Sequence, residues 1–442
     1  MEHISIVKSA NTTYFMWLLQ FRLHIRNPSL ESDHYFHSKA LLQEYIMEMW
    51  LATEHSWLRW IRDHQASLRA DLYTGVIDAL HEGLHPSAIG RKVILPSSFT
   101  SGPRFMQKNL QHALTLLRVI GPSDLFITFT ANPHWKEITD NLLSGQSACD
   151  RPDIVARVFH LKFISLLHDI MKNHIFGKAI AYVYTVEYQK RGLPHIHLIV
   201  FLDRSCRLTT PQRIDSLISS ELPDPVHEPV LFELVKTHMI HGPCRPGQCL
   251  NDDGFCSKGF PKPFQPETEI TGESYVKSRR RDNGRRIHLQ DRSIDNQHVV
   301  AHSPYLLWKY RAHINVECTS GFQAIKYIYK VSHKYRSYTF PVVTMPQYIY
   351  KGPDRASVAV HRDSNEDEHV RDEIKTYIDA RYVSSMEAYA RIMGWPTHKV
   401  SLEQKPTSLL NNDGASPCFS GISCSATSTN PSRKWTICRF QL

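Results

Sequence analysis

The sequence predicts an α+β protein: an antiparallel sheet with packed helices, preceded by a helical N-terminal region. Three observations carry this. Two runs rich in β-branched and aromatic residues, "AIAYVYTVEY" (179–188) and "HIHLIVFL" (195–202), flank the Gly-containing turn "QKRGLP", the pattern of an antiparallel hairpin. Long segments elsewhere repeat apolar residues at helical spacing. The chain has 442 residues, 42% apolar and 21% charged, the composition of a globular protein with a sizeable core.

Residues 39–83 read as helices, with Leu42, Tyr45, Ile46, Met49, Trp57, Trp60 and Ile61 recurring in a polar background. Trp50, Trp57 and Trp60 are assigned to the core rather than to a base-stacking platform. "PSSFTSGP" (96–103) breaks the chain before an amphipathic helix over 105–119, which Gly121-Pro122-Ser123 ends. "LFITFT" (125–130) follows as a buried strand closed by "NPHW". A helix over 153–174 sets Ile154, Val158, Leu161, Leu166 and Ile170 on one face. Beyond the hairpin come a cysteine-containing loop (238–262), a basic stretch (276–286) and helical patterns over 320–330 and 373–393. From 401 the chain turns to Ser, Thr, Asn, Pro and Gly, the composition of a disordered tail.

A net charge of +9 is compatible with a polyanionic partner without requiring one. Nine cysteines, an odd number in so long a chain, do not form a secreted disulfide framework. The N-terminus lacks a basic n-region, and no stretch reaches the length of a membrane span. The expectation is an intracellular, reduced protein with no membrane partner.

His195 and His197 flank one residue on a predicted strand, so period-two geometry puts both imidazoles on one face. Glu187 and Gln189 share a face of the preceding strand, across the turn. Such an N,N,O set suits Mg²⁺ or Mn²⁺. In a chain with 26 histidines an H-x-H pair also arises without function, so the reading depends on context. His241, Cys244, Cys249 and Cys256, in "HGPCRPGQCLNDDGFC", could form a Cys₃His zinc site, with His238 as substitute for His241; unliganded thiols are the alternative. Lys277, Arg279, Arg280, Arg281, Arg285 and Arg286 surround Asp282-Asn283-Gly284, the tip of an expected hairpin. They either track a single-strand phosphate backbone, with Tyr275 stacking on a base, or form a solvated loop.

"YTVEYQKRGLPHIHLIVFL" closely resembles the HUH nuclease motif of Helitron-type rolling-circle transposases. "FITFTANPHW", "GRKVILPSSFTSGPRFM", "CSKGFPKPFQ", "SPYLLWKYRAHINVE" and "YIYKGPDRASV" resemble further blocks of that family, in order, between about residues 20 and 393. The resemblance implies an HUH-like fold, a metal-dependent single-strand DNA endonuclease and strand transferase, and two nucleophilic tyrosines four residues apart on one helix, in a pattern like K-Y-x-x-K-Y-x-Y-K-G. Four residues is one helical step, so both hydroxyls share a face.

Here "YIYK" occurs twice, at 327–330 and 348–351, and position 331 is Val331. Removing 331–347 joins Lys330 to Tyr348 and completes the pattern, making Tyr327 and Tyr348 the implied nucleophiles. The intervening "VSHKYRSYTFPVVTMPQ" begins Val-Ser and ends in Gln, codons able to spell splice-donor and acceptor sites, so it is either a retained intron or a loop insertion. Translated, Pro341 and Pro346 forbid a continuous helix.

No G-x₄-G-K-[ST] is present, so the expectation is an element truncated before its helicase, with that helicase missing from this chain. The expected organisation is 1–95 helical, 96–235 the first part of an HUH domain with the H-x-H motif, 236–290 the Cys/His loop and basic hairpin, 291–400 the tyrosine region with insertion 331–347, and 401–442 a tail. The resemblance implies a nuclear protein acting on transposon ends. The competing readings are an inactive DNA-binding derivative and a metal hydrolase using activated water.

Overall fold

The computed structural model describes residues 10–24, 34–65, 68, 93–189, 192–245, 249–251, 253–270, 276–289, 292–319, 372–379 and 382–402. The expected helix at 320–330, Tyr275, Tyr327, Tyr348 and the insertion 331–347 lie outside these residues. All described residues fall within one unit, Met1–Glu403.

In chain order the elements begin with helices α1 (Ala10–Arg22), α2 (Ala40–Asp63) and α3 (Pro103–Ile120), then strand β1 (Leu125–Thr130) and helix α4 (Pro152–Met171). The hairpin β2 (Ala179–Tyr188) and β3 (Pro194–Leu202) follows, with helices α5 (Pro211–Leu217) and α6 (Pro229–His238). A small hairpin, β4 (Ile287–Leu289) and β5 (Arg292–Ile294), precedes α7 (Pro304–Tyr310) and β6 (Ile314–Cys318). Last come α8 (Glu373–Asp379), α9 (Ser385–Ile392) and β7 (His398–Leu402). β7 thus draws Ser401 and Leu402 into the sheet, two residues expected in the tail.

The main sheet has five strands in the order β6-β1-β3-β2-β7, every neighbouring pair antiparallel. Period-two alternation divides it into two faces. Ile127, Phe129, Ile196, Leu198 and Val200 point to one core, where α4 covers them. Phe163 of α4 meets Tyr184 edge-on at 4.8 Å, and Phe159 stacks on Phe129 at 5.3 Å. Phe126, Ala181, Val183, Ile199 and Phe201 point the other way, onto Leu110, Ala113, Leu116 and Leu117 of α3. Each fully buried side chain of this size contributes about 1.5–3 kcal/mol of transfer free energy.

Pro103 at the first turn and Gly121 at the C-cap, with φ at 99°, delimit α3. The turn between β2 and β3 closes at Gly192, whose φ of 83° favours glycine. The face expected for α4 needs correction. Leu161 is 66% exposed, and the buried stripe runs through Val155, Phe159, Phe163, Leu166 and Ile170, whose steps of three and four keep one face. The helical pattern at 373–393 is two helices. The Ser384 hydroxyl accepts from the Glu387 N–H and starts α9 afresh. α8 packs Ile374 and Tyr377 on Leu58 and Ile61 of α2, while Tyr389 and Ile392 of α9 meet Leu42, Ile46 and Trp50. Trp50 is core, as expected, at 4% exposure.

Candidate functional site

β3 lies at the centre of the sheet and carries His195 and His197 near its start. Directly opposite residues of antiparallel strands share a face. Thr130 and Glu187 flank His195, while Thr128 and Thr185 flank His197. The row through His197 extends outward to Asn315 on β6 and His398 on β7. This polar band continues the α3-covered face beyond its apolar part.

The two imidazole rings meet edge-to-face with centroids 4.6 Å apart. His197 is 4% exposed and stacks on Phe126 at 5.9 Å, and its Nε2 lies 3.4 Å from Glu187 Oε2. His195 is half-buried, with Nδ1 2.7 Å from Thr130 Oγ1. In the tautomer protonated at Nδ1, Thr130 accepts that hydrogen bond and Nε2 becomes the imidazole's lone-pair donor. Burial, reinforced by His112, pushes the His398 imidazole down to about 4, so it is neutral at physiological pH. Gln189 falls past the paired part of β2, exposed in the turn, its N–H donating to the Leu193 carbonyl.

Thr130, Asn315 and His398 were not singled out in the sequence. The alternation Thr128-Phe129-Thr130 on β1 held a usable signal, since it puts both threonines opposite the apolar face. Asn315 and His398 sit on strands far away in sequence, and no local pattern marks them.

A second constellation lies beyond the β6 edge. Val300 donates to the Met239 carbonyl and His241 to that of His298, laying the 239–241 segment beside 298–300. From there the loop brings His241, Cys244, Cys249 and Cys256 together, their ligand atoms all within 4.8 Å of one another. His241 Nε2 lies 3.2 Å from Cys256 Sγ and 3.4 Å from Cys244 Sγ. Zn–S bonds of about 2.3 Å would set tetrahedral ligands ~3.8 Å apart, so the set needs only a slight contraction.

Burial, with His298 and Lys258 nearby, holds the His241 imidazole below its ordinary value and so neutral. Cys256 is lowered as well: burial opposes this, but N–H groups of Phe260 and Lys258 donate to its sulfur. Cys244 is raised to about 12 by burial and by the neighbouring sulfurs of Cys249 and Cys256. Three thiols crowded around one imidazole form the donor set a soft divalent ion satisfies. His238, the substitute from sequence, ends α6, and its carbonyl accepts from His313 Nδ1. Among the described residues this is the group whose ligand atoms approach so closely; the histidine pair and Glu187 are more open.

The basic stretch differs from the exposed hairpin tip expected. Arg280 is 7% exposed and donates to the carbonyls of Ser220, Asn296 and Val299. Arg281 makes a bidentate pair with Glu221, Arg279 bridges Asp215 and Glu221, Arg285 holds Asp224, and Lys277 lies 3.3 Å from Glu269. Of the six cations in this stretch, Arg286 is the one that stands exposed without such a pairing among the described residues. The hairpin itself forms just downstream, as β4–β5. These carboxylates lie some 50–70 residues upstream of most of the arginines, which a local reading of the run could not reveal. Arg280→Ala is expected to cost about 3 kcal/mol, because it leaves buried carbonyls unpaired, whereas Arg286→Ala stays within about 0.5 kcal/mol. Urea denaturation of both variants checks this.

Among the described residues, no helix is long and apolar enough to cross a membrane. No curated protein matches the chain. Residues 18–200 match a family model described as the Helitron helicase-like domain at N-terminus, a span that holds β1, β2 and the histidine pair and leaves out the Cys/His loop.

Proposed function

We propose, with the Helitron-type match over residues 18–200 as premise, that the protein is a metal-dependent single-stranded DNA nicking and joining endonuclease of rolling-circle transposition. The observation that supports it most is the cross-strand set of His195, His197, Glu187 and Thr130 on one sheet face. Two imidazoles and a carboxylate within reach of one another suit a hard or borderline divalent ion. Mg²⁺ or Mn²⁺ held by His195, His197 and Glu187, with Gln189 as substitute for the carboxylate, would polarise the oxygens of a bound phosphodiester.

The chain's own residues supply the rest. The phenolate of Tyr327 attacks phosphorus, the bond from phosphorus to the 3′ oxygen breaks, and the 3′ strand leaves with a proton as its hydroxyl. The 5′ strand stays covalently on Tyr327. Tyr348 serves as the second nucleophile in a chain lacking 331–347, where the two tyrosines stand four residues apart. Thr130 orients His195 through their shared hydrogen bond. The Cys₃His loop holds a structural Zn²⁺, and the work is nuclear, on transposon ends, with helicase action supplied by another domain or protein.

The test is a denaturant-resistant adduct with labelled single-stranded DNA and Mn²⁺, with mass spectrometry locating the 5′-phosphotyrosine. An inactive DNA-binding derivative, favoured by Pro341 and Pro346 within the tyrosine pattern, binds without forming one. Thr130→Val is expected to weaken Mn²⁺ binding about 10- to 100-fold while leaving the fold intact. Mn²⁺ titration by electron paramagnetic resonance measures it, and unchanged affinity removes Thr130 from the site.

A further inference from the structure

We infer that single-stranded DNA docks on an exposed stripe of α7 at the histidine end of the sheet, with Trp308 stacking on an unpaired base and Arg311 holding the adjoining phosphate. The inference rests on the nuclease reading for its choice of substrate, but its geometry stands apart from the metal site.

α7 buries Leu306, Leu307 and Tyr310 in the sheet core. Its other side presents Tyr305 at 45% and Trp308 at 57% exposure. Tyr305, Trp308 and Arg311 follow at intervals of three residues, so they form one stripe along the helix and its cap. A tryptophan that exposed gains little from the core, and its face is open to a planar partner. Bases of a single strand offer that partner, whereas a duplex keeps its bases stacked inside.

The charge is arranged to match. Lys309, next along the helix, is committed to Asp169 at 2.7 Å. Arg311 is exposed and makes no ion pair among the described residues. It also caps the helix in the left-handed conformation, with φ at 46° and ψ at 54°. Glycine would sit there without strain, while an L-residue costs about 1 kcal/mol. The position therefore carries a guanidinium at some cost to the backbone. The basic stretch at 277–286, which sequence offered for this role, has most of its cations occupied internally.

Short bonds tie this stripe to the histidine pair. Asn132 Nδ2 donates to the Arg311 carbonyl at 2.8 Å, and Trp135 Nε1 donates to the Tyr310 carbonyl at 2.7 Å. Both donors lie just past the end of β1. Thr130, the last residue of that strand, takes the His313 carbonyl on its N–H at 3.0 Å and meets His195 Nδ1 with its hydroxyl at 2.7 Å. The C-terminus of α7 is thus held at the same end of the sheet as His195, on the α4-covered face, so a strand stacked on Trp308 would reach the histidines around that end.

Fluorescence anisotropy of the full chain, with no Mg²⁺ or Mn²⁺ added, would follow a fluorescein-labelled mixed-sequence DNA single strand and its duplex. Trp308→Ala is expected to weaken single-strand binding about tenfold or more, with Trp308→Phe restoring most of it and duplex binding unmoved. Arg311→Gln should lower the slope of log affinity against log salt by about 0.7. Single-strand affinity unchanged in both Trp308→Ala and Arg311→Gln overturns the inference, as does absence of single-strand binding by the unaltered chain at low salt. Equal loss on duplex also overturns it, since that marks a general change in shape. Mn²⁺-dependent adduct formation is scored separately: if it is absent while the Trp308-dependent binding remains, the nuclease reading fails and this docking surface stands.

Discussion

Replacing His195 and His197 together by alanine is expected to abolish the Mn²⁺-dependent protein–DNA adduct, a fall of about three orders of magnitude in nicking rate. The size follows from what is lost. Lewis-acid stabilisation of a phosphoryl transition state amounts to several kcal/mol, and each ~1.4 kcal/mol is tenfold in rate. Without the two imidazoles, the cross-strand set retains Glu187 as its one charged donor. Because His197 stacks on Phe126, alanine there also opens space in the sheet face. His197→Gln, which keeps more of that volume, separates lost ligation from lost packing, and circular dichroism of each variant checks the fold. The same experiment on a chain lacking 331–347 decides the role of the insertion. Adduct from the shortened chain alone means that the translated insertion breaks the tyrosine register. Adduct from both means that Tyr327 suffices or that the insertion is tolerated. Adduct that persists in the double histidine variant would falsify the metal assignment outright.

The second large effect is expected at the Cys/His loop. The full chain purified without chelator should carry about one equivalent of zinc, and Cys256→Ser should lose it, lowering the thermal midpoint by roughly 10 °C. The loop from His241 to Lys262 buries little. Phe255 at its tip is 72% exposed, and the thiols are only partly covered. What orders it without metal is a few backbone bonds, Ser257 to the Cys249 carbonyl and Lys262 to that of Gln297 among them. Ligation by four groups replaces the missing core, and so its loss is felt directly in stability. The loop's far end also approaches the sheet. Glu317 of β6 has its carboxyl raised by burial, opposed by the Asn315 amide, Lys262 and Arg280. Freeing the loop would remove Lys262 from that balance. Elemental analysis and calorimetry of the two chains check the prediction; zinc-free protein with an unchanged midpoint in Cys256→Ser means unliganded thiols.

Much of the local structure was legible. The strands at 125–130, 179–188 and 195–202 appear with boundaries that differ by at most one residue, because alternation and β-branched composition are properties of adjacent residues. The helix expected at 105–119 appears as α3, bounded by the expected turn residues. Errors came where a local pattern had two solutions. The spacing of α4 admitted a face through Leu161, but contact with Phe129 and Tyr184 selects the face of Phe159 and Phe163. The run 373–393 looked continuous because its apolar residues keep helical spacing, yet Ser384 caps a fresh helix. Charge in the 277–286 stretch looked available for phosphate, since Asp215, Glu221 and Asp224 are remote in sequence and adjacent only after folding.

For this protein, sequence alone determined the α+β class, the hairpin, the placement of both imidazoles on one strand face, and the Cys/His spacing. All of these follow from periodicities of two and 3.6 residues or from short loops, where neighbours in sequence are neighbours in space. Tertiary structure alone decided what surrounds them. It put β3 at the sheet centre between β1 and β2, so that Thr130 meets His195 and Glu187 meets His197. It brought Asn315 and His398 into the same row, and it held the α7 cap at the end of β1 through Asn132 and Trp135. The physical reason is that strand order and helix docking are chosen by burial of whole faces. That quantity is summed over residues hundreds of positions apart, and no window of sequence contains it.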